Sequence, residues 1–236
     1  MHDAATAVAR VLGGLDDWGL AGTRPGQYHS DLAADAAALD VLGRAGVGVL
    51  SEESGAHDTD REILVVIDPV DGSTNASRGL PWFATSLCAL DGDGARAAVV
   101  VNQATGTRFE AMRGGGARRD GAAIQPTGTR AVGEALVAFN GYPRRHLGWY
   151  QYRSLGAIAL DLCAVAGGQL DAVVSCVDDA AGPWDYLGGM LVCLEAGAAV
   201  ADVGGRPLVA RDHADRRTPA AAATPELLAA LLAEIN

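Results

Sequence analysis

Residues 63–75 read ILVVIDPVDGSTN, and the fold turns on how that run is understood. Ile63 to Ile67 is an apolar, mostly β-branched stretch, the composition of a strand buried on both faces. Asp68-Pro69-Val70-Asp71-Gly72 follows at once. Proline and glycine there predict that the chain turns as it leaves the strand. No packing requirement calls for two aspartates three apart behind a buried strand. A hard divalent cation such as Mg²⁺ does, because it takes oxygen ligands, commonly a few carboxylates completed by water and substrate phosphate. Asp68 and Asp71 can converge on a pair of such ions, with the Val70 carbonyl between them free to ligate. Gly72-Ser73-Thr74-Asn75 reads as a helix start whose free backbone N–H groups suit a phosphate, with the Ser73 hydroxyl placed to hold an attacking water.

Two further acidic clusters share this position at the border of an apolar element. VGVL (47–50) is a short strand that runs into Ser51-Glu52-Glu53-Ser54. PWDYLGGMLVCLEAG (183–197) is a helix opening on Pro183, with Asp185 in its first turn. Carboxylates where strands end and helices begin lie where α/β-type folds place their sites. Without cations the five carboxylates would repel one another and a phosphate dianion. Two magnesium ions reverse that field, activate a water and stabilise a leaving alkoxide.

Around these clusters the chain divides. Helices are expected over 3–17 and 31–45, separated by a Gly/Pro break at Gly22–Gly26. WFATSLCAL (82–90), ARAAVVVNQ (95–103) and TRFEAM (107–112) read as an antiparallel meander, with GGGARRDG (114–121) as a glycine-rich connection. The second half alternates strands (135–140, 170–175, 198–203) with helices (157–166, 183–197). A last helix is announced by Thr224 as N-cap and Pro225 at the first helical position. Two halves are therefore expected: 1–132, an α+β half carrying the metal motifs, and 133–236, an α/β half contributing Asp185 and the substrate pocket.

Composition narrows the chemistry. The chain has 236 residues and a net charge of −11, a poor match for nucleic acid or anionic membranes. All 18 basic residues are arginine, so P-loop and Schiff-base chemistry, both lysine-dependent, are excluded. Cys88, Cys163, Cys176 and Cys193 form no CxxC pair and read as reduced thiols, and the five histidines make no zinc pattern. With no signal peptide or membrane-length apolar run, the expectation is a cytoplasmic protein.

Taken together, SEES (51–54), IDPVDGSTN (67–75), RSLGAIALDLCAVAGGQLDA (153–172) and PWDYLGGMLVCLEAGAAV (183–200) resemble the inositol monophosphatase family, within the lithium-sensitive, magnesium-dependent sugar phosphatases. A weaker match, DLAADAAAL (31–39), sets Asp35 on the family's aspartate near the start of its second helix. The resemblance implies a five-layer alternating αβαβα fold, commonly dimeric, and two or three Mg²⁺ ions. It also implies roles. Glu52, Asp68 and the Val70 carbonyl would hold the first metal, and Asp68, Asp71 and Asp185 the second. Glu52 and Ser73 would position the nucleophilic water, with Glu53 ligating a further metal through water. Gly72, Ser73 and Thr74 would hold the phosphate. Gly156, Ala157 and Ile158 would line the substrate pocket, and Asp71 and Asp185 would face substrate hydroxyls.

The chain departs from the pattern in places. Ala157 replaces a hydroxyl residue, Arg24 stands nearest to an expected lysine, and Ser175 stands where inositol-specific members carry a glutamate. CVDDAAG (176–182) is about three residues longer than usual, so Asp178 or Asp179 is a candidate to replace that glutamate. The expected activity is hydrolysis of a small polyol phosphate, inositol monophosphate first. Fructose 1,6-bisphosphate, histidinol phosphate or a specialised-pathway phosphate is the alternative, and a degenerate binding protein the remote one.

Overall fold

Side-chain alternation along one strand sets the layering. The structure, a computed structural model, describes residues 1–235. Successive strand residues face opposite sides of a sheet. On β3 (Leu64–Asp71), Val65 and Ile67 pack with Val8 and Leu12 of α1 (His2–Gly13) and with Ala34, Ala38 and Leu42 of α2 (His29–Arg44). Leu64 and Val66 face the other way, toward Leu160 and Leu162 of α4 (Ile158–Ala166) and Leu187 and Met190 of α5 (Pro183–Ala196). The same alternation recurs in a second sheet. Ala138, Val173 and Ala221 join the α4–α5 cluster, while Val137, Phe139, Ala172 and Val174 pack on Leu227, Leu228 and Leu231 of α6 (Pro225–Ile235). The result is helices, sheet, helices, sheet, helix: the five layers expected.

The first sheet adds β1 (Gly48–Ser51), β2 (Gly55–His57), β4 (Ala84–Asp91), β5 (Gly94–Asn102), β6 (Arg108–Met112), β7 (Gly116–Arg119) and β8 (Ala122–Ala123), in the order β2-β1-β3-β4-β5-β6-β7-β8. The second contains β9 (Leu136–Asn140), β10 (Gln151–Arg153), β11 (Ala172–Ser175), β12 (Ala199–Asp202) and β13 (Pro219–Ala222), in the order β10-β9-β11-β13-β12. Both α4 and α5 lie between the sheets, so the two halves share one central core.

Three expectations are corrected. First, no turn follows Ile67: β3 continues through Asp68-Pro69-Val70 to Asp71. The ladder pairs Asp68 with Ser86 and Asp71 with Ala84, so Pro69 and Val70 together oppose Thr85 in a bulge. A bulge is where a strand tolerates proline, which has no N–H to give. The Thr85 hydroxyl donates to the Pro69 carbonyl at 2.8 Å, so that carbonyl keeps a partner. Second, the first sheet is mixed, because β1 runs parallel to β3. Third, half of GGGARRDG is strand, Gly116–Arg119 forming β7 folded back on β6. The edge strand β10 and the alanine-rich β13 carry too little apolar alternation to announce themselves. At the C-terminus the expected cap is present: the Thr224 hydroxyl accepts from the Leu227 N–H at 3.2 Å, with Pro225 opening the helix. No helix among the described residues is long and apolar enough to cross a membrane.

Candidate active site

Register brings the first two carboxylates together. Parallel pairing sets Ser51 beside Ile67, so Glu52 and Asp68 leave adjacent strands at the same level, and the Glu52 N–H donates to the Ile67 carbonyl at 3.2 Å. An antiparallel β1 would have sent Glu52 to the opposite end of the sheet. The third comes from α5. Its Gly188-Gly189 pair allows close approach: a Cβ on Gly188 would meet Ser86 Oγ at 2.6 Å, and one on Gly189 would meet Leu162 Cβ at 2.6 Å. That packing draws the first turn of α5 onto the end of β3. The helix start is fixed by the Gly182 N–H, which donates to Asp185 Oδ2 at 2.6 Å.

Glu52, Asp68 and Asp185 each offer an oxygen, and these oxygens all lie within 4.8 Å of one another. Three carboxylates this close and this buried resist ionisation. Burial, then Asp185 and Glu53, raise Glu52 to about 8. Burial raises Asp185 to about 7 against the pull of Gly182 N–H and Arg216. Asp68 is pushed well above the carboxylate range by burial, then by Glu52 and Asp71. A donor set of hard oxygens that cannot all be charged unaided fits a divalent cation.

The remaining predicted residues are placed as follows. Asp71 is buried and lies outside that trio. Its Oδ2 accepts from the Ala159 N–H at 2.7 Å, tying β3 to the start of α4. Val70 is buried in the bulge, its N–H donating to Asp68 Oδ1 at 2.9 Å and so orienting that carboxylate. Glu53 turns to Arg24, at 2.5 Å, and to Gln27. Ser73 lines a cleft of about 270 Å³ together with Arg24, Asp31, Glu52, Glu53, Trp184, His213 and Arg216. The Thr74 hydroxyl lies 3.2 Å from the Tyr28 hydroxyl. Asp35 sits behind the site, accepting from Ser51 Oγ at 2.5 Å, and it is Asp31, one turn earlier on α2, that lines the cleft.

The phosphate motif is locked in place from below. In α3 (Ser73–Ser77), the Asn75 side-chain amide donates to the carbonyls of Trp82 and Leu155, each at 2.7 Å. Those bonds clamp Gly156, Ala157 and Ile158 onto the motif. Ala157 and Ile158 are buried there, and only Gly156 is exposed. Gly72 caps α3 at φ 85°, and a Cβ on it would meet Trp82 O at 3.0 Å and Gly156 O at 3.1 Å. Gly72→Ala is therefore expected to destabilise the fold by about 1–3 kcal/mol from the left-handed backbone alone. Thermal denaturation checks this, with a fall in Tm of several degrees predicted.

Some expectations point elsewhere. Ser175 is buried at the end of β11 and its hydroxyl has no hydrogen-bond partner among the described residues. Neither Asp178 nor Asp179 lines the carboxylate cleft. Asp179 is paired with Arg206 at 2.5 Å, and Asp178 borders a separate cavity of about 420 Å³ with Arg144 and Arg145. Sequence reasoning passed over His213 and Arg216. They come from ARDHADRR (210–217), a loop with no element pattern whose one visible signal is a concentration of cations in an acidic chain. Asp161 was also missed: buried in α4, it accepts from the Trp82 indole N–H at 2.9 Å and steadies the residue that holds Asn75.

Comparison with known proteins fits this geometry. Residues 31–236 match the model of the inositol monophosphatase family. A fructose-1,6-bisphosphatase of Pyrococcus furiosus is 32% identical, covering 98% of this chain and 93% of its own. A Thermococcus kodakarensis protein named fructose-1,6-bisphosphatase/inositol-1-monophosphatase is 35% identical over 85% of this chain and 78% of its own. Among solved structures, a Pyrococcus horikoshii protein described by its similarities to inositol-1 monophosphatase superposes with a TM-score of 0.87 at 26% identity, covering 100% of this chain and 94% of that one. A five-layer fold whose strand ends gather carboxylates, with relatives of this kind, defines a phosphoric monoester hydrolase. The chain belongs to the inositol monophosphatase family.

Proposed function

We propose that the protein is a Mg²⁺-dependent phosphomonoesterase acting on a small polyol or sugar phosphate, with inositol monophosphate the first substrate to test. The observation that carries this is the trio Glu52, Asp68 and Asp185, oxygens within 4.8 Å, with Glu52 lining the same cleft as Ser73. These three carboxylates would hold the cation, with the Val70 carbonyl and Asp71 completing the ligands. When bound, magnesium supplies positive charge that lowers the pKa of a water and stabilises the departing oxygen.

The chain's own groups supply the rest. Glu52, at the cleft edge, accepts the proton of the attacking water, and the Ser73 hydroxyl aims that water at phosphorus. The N–H groups at the start of α3 are not consumed within the helix and meet the phosphate oxygens. Gly72 lets that backbone come close to substrate. Asp71, fixed by the Ala159 N–H, stands ready for the substrate side of the metal site. Glu53, held by Arg24, supports the outer edge, where a third cation would bind through water. We propose a homodimer, on the resemblance.

A substrate panel ranked by kcat/KM tests the reading: inositol 1-phosphate, fructose 1,6-bisphosphate and histidinol phosphate, each with Mg²⁺. The proposal predicts phosphate release from at least one polyol or sugar phosphate. No release from any member would sink it. The missing glutamate at Ser175 favours a substrate other than inositol phosphate, and a clear preference for inositol 1-phosphate would reject that second reading.

A further inference from the structure

The cleft has an acidic wall and an arginine that makes no ion pair within 4.0 Å among the described residues, although its charge acts on nearby Asp185. Two arginines line it. Arg24 is consumed by Glu53 at 2.5 Å. Arg216 has no carboxylate within 4.0 Å among the described residues. Its Nη1 donates to two backbone carbonyls, His213 at 2.8 Å and Asp215 at 2.7 Å, which fixes the plane of the guanidinium. Nε and Nη2 make no hydrogen bond among the described residues. These two nitrogens form the side-on fork that binds a carboxylate or phosphate with two parallel bonds.

The fork rests on a built platform. The Arg216 guanidinium carbon lies 5.1 Å from the centre of the Trp184 ring. The His213 ring stacks on the same indole at 4.7 Å and 36°, its Nε2 lying 3.4 Å from the Glu52 carbonyl. Trp184 immediately precedes Asp185, so the platform adjoins the carboxylate trio. An arginine oriented by its own backbone, flanked by an aromatic shelf and facing a small cleft, is preorganised for an anion. The reacting phosphate is assigned to Ser73 and the trio, which this platform adjoins. What remains for Arg216 is a second anionic group on the same substrate.

We infer that Arg216, supported by Trp184 and His213, binds a second anionic group, a phosphate, on the sugar or polyol that carries the scissile phosphate. This rests on the phosphatase reading above and narrows it, from polyol phosphates in general to those with a second phosphate. Arg216 is then a specificity residue and takes no part in the chemical step.

The test compares fructose 1,6-bisphosphate with fructose 1-phosphate, which differ only in the second phosphate. In the wild-type protein with Mg²⁺ the bisphosphate is expected to have the higher kcat/KM. Arg216→Met keeps the apolar stem over Trp184 and removes the fork. It should lower kcat/KM for the bisphosphate by about 10- to 100-fold, mainly through KM, and for fructose 1-phosphate by less than about threefold. Arg216→Lys should fall between, since a point charge cannot make the paired bonds. Equal losses on both substrates, or no loss on either, would overturn the assignment. Calorimetric binding of fructose 1,6-bisphosphate to the same proteins with Ca²⁺ in place of Mg²⁺ decides independently of turnover. If the wild type hydrolyses neither sugar, fructose phosphates are not its substrates, and the phosphatase reading then stands or falls on inositol 1-phosphate and histidinol phosphate. Unchanged affinity in Arg216→Met would then reject the Arg216 site, and a loss of about tenfold or more would uphold it.

Discussion

Asp68→Asn should reduce kcat by about a thousandfold or more while leaving the protein folded. Asp68 is the most buried member of the trio, its oxygen within 4.8 Å of those of Glu52 and Asp185. Asparagine has the same shape, and its carbonyl oxygen can keep the 2.9 Å bond from the Val70 N–H, so β3 and its bulge should survive. What is lost is the anionic ligand shared between the proposed metal positions. Losing about 4 kcal/mol of charge stabilisation corresponds to roughly three powers of ten in rate. The same change should have an opposite effect on the metal-free protein. Removing one of three mutually repelling carboxylates relieves the cluster, so Tm without metal should stay level or rise. Phosphate release and scanning calorimetry on one preparation read both. A variant within tenfold of wild-type activity would place the chemistry elsewhere.

The second large effect is on stability, and it depends on pH. In the metal-free protein Glu52 is raised to about 8 and Asp185 to about 7, chiefly by burial, against unfolded values near 4. Between those limits the folded state holds more protons than the unfolded one, so stability falls as pH rises. The stripped protein should therefore be more stable at pH 5 than at pH 8, the loss accumulating as these two groups ionise. A bound cation replaces the protons as the source of positive charge and cancels the trend. At pH 8, Mg²⁺ at about a hundred times its Kd contributes about 2.7 kcal/mol, or roughly 5–10 °C in Tm for a domain of this size. At pH 5 protons compete with the cation, and the increment should shrink. A magnesium increment that is equal at pH 5 and pH 8 would mean that the trio is not the binding site.

Much of this was legible in the sequence because the informative residues are local. The run Ile63–Ile67 names a buried strand whatever surrounds it, and the two faces of β3 follow from period two. Thr224-Pro225 marked the last helix by a cap that needs only three neighbouring residues. The motif's chemistry was legible for a different reason: nothing structural explains Asp68, Asp71 and Gly72 in that order. Its local shape was less so. Proline and glycine predicted a turn, and the chain makes a bulge, since pairing with β4 outweighs the local signal and Thr85 takes up the Pro69 carbonyl.

What escaped was what only tertiary structure brings together. Parallel pairing of β1 with β3, which levels Glu52 with Asp68, has no mark in either strand. Asp31 and Asp35 lie one turn apart on α2, and nothing in their spacing says which one meets the cleft. Arg216 and His213 sit in a loop far along the chain from the motifs they face. The share of the site that selects the alcohol is built from such residues, so the reaction could be read early and its substrate could not.

If this cluster works as a magnesium phosphatase site, the protein is inactive without the metal. The most direct measurement is phosphate release by chelator-stripped, dialysed protein on the substrate panel, before and after Mg²⁺ is restored. Release is expected below about a thousandth of the full rate without metal, with full recovery on adding Mg²⁺. Equal release with and without the metal, or none from any substrate once magnesium is present, would contradict this assignment.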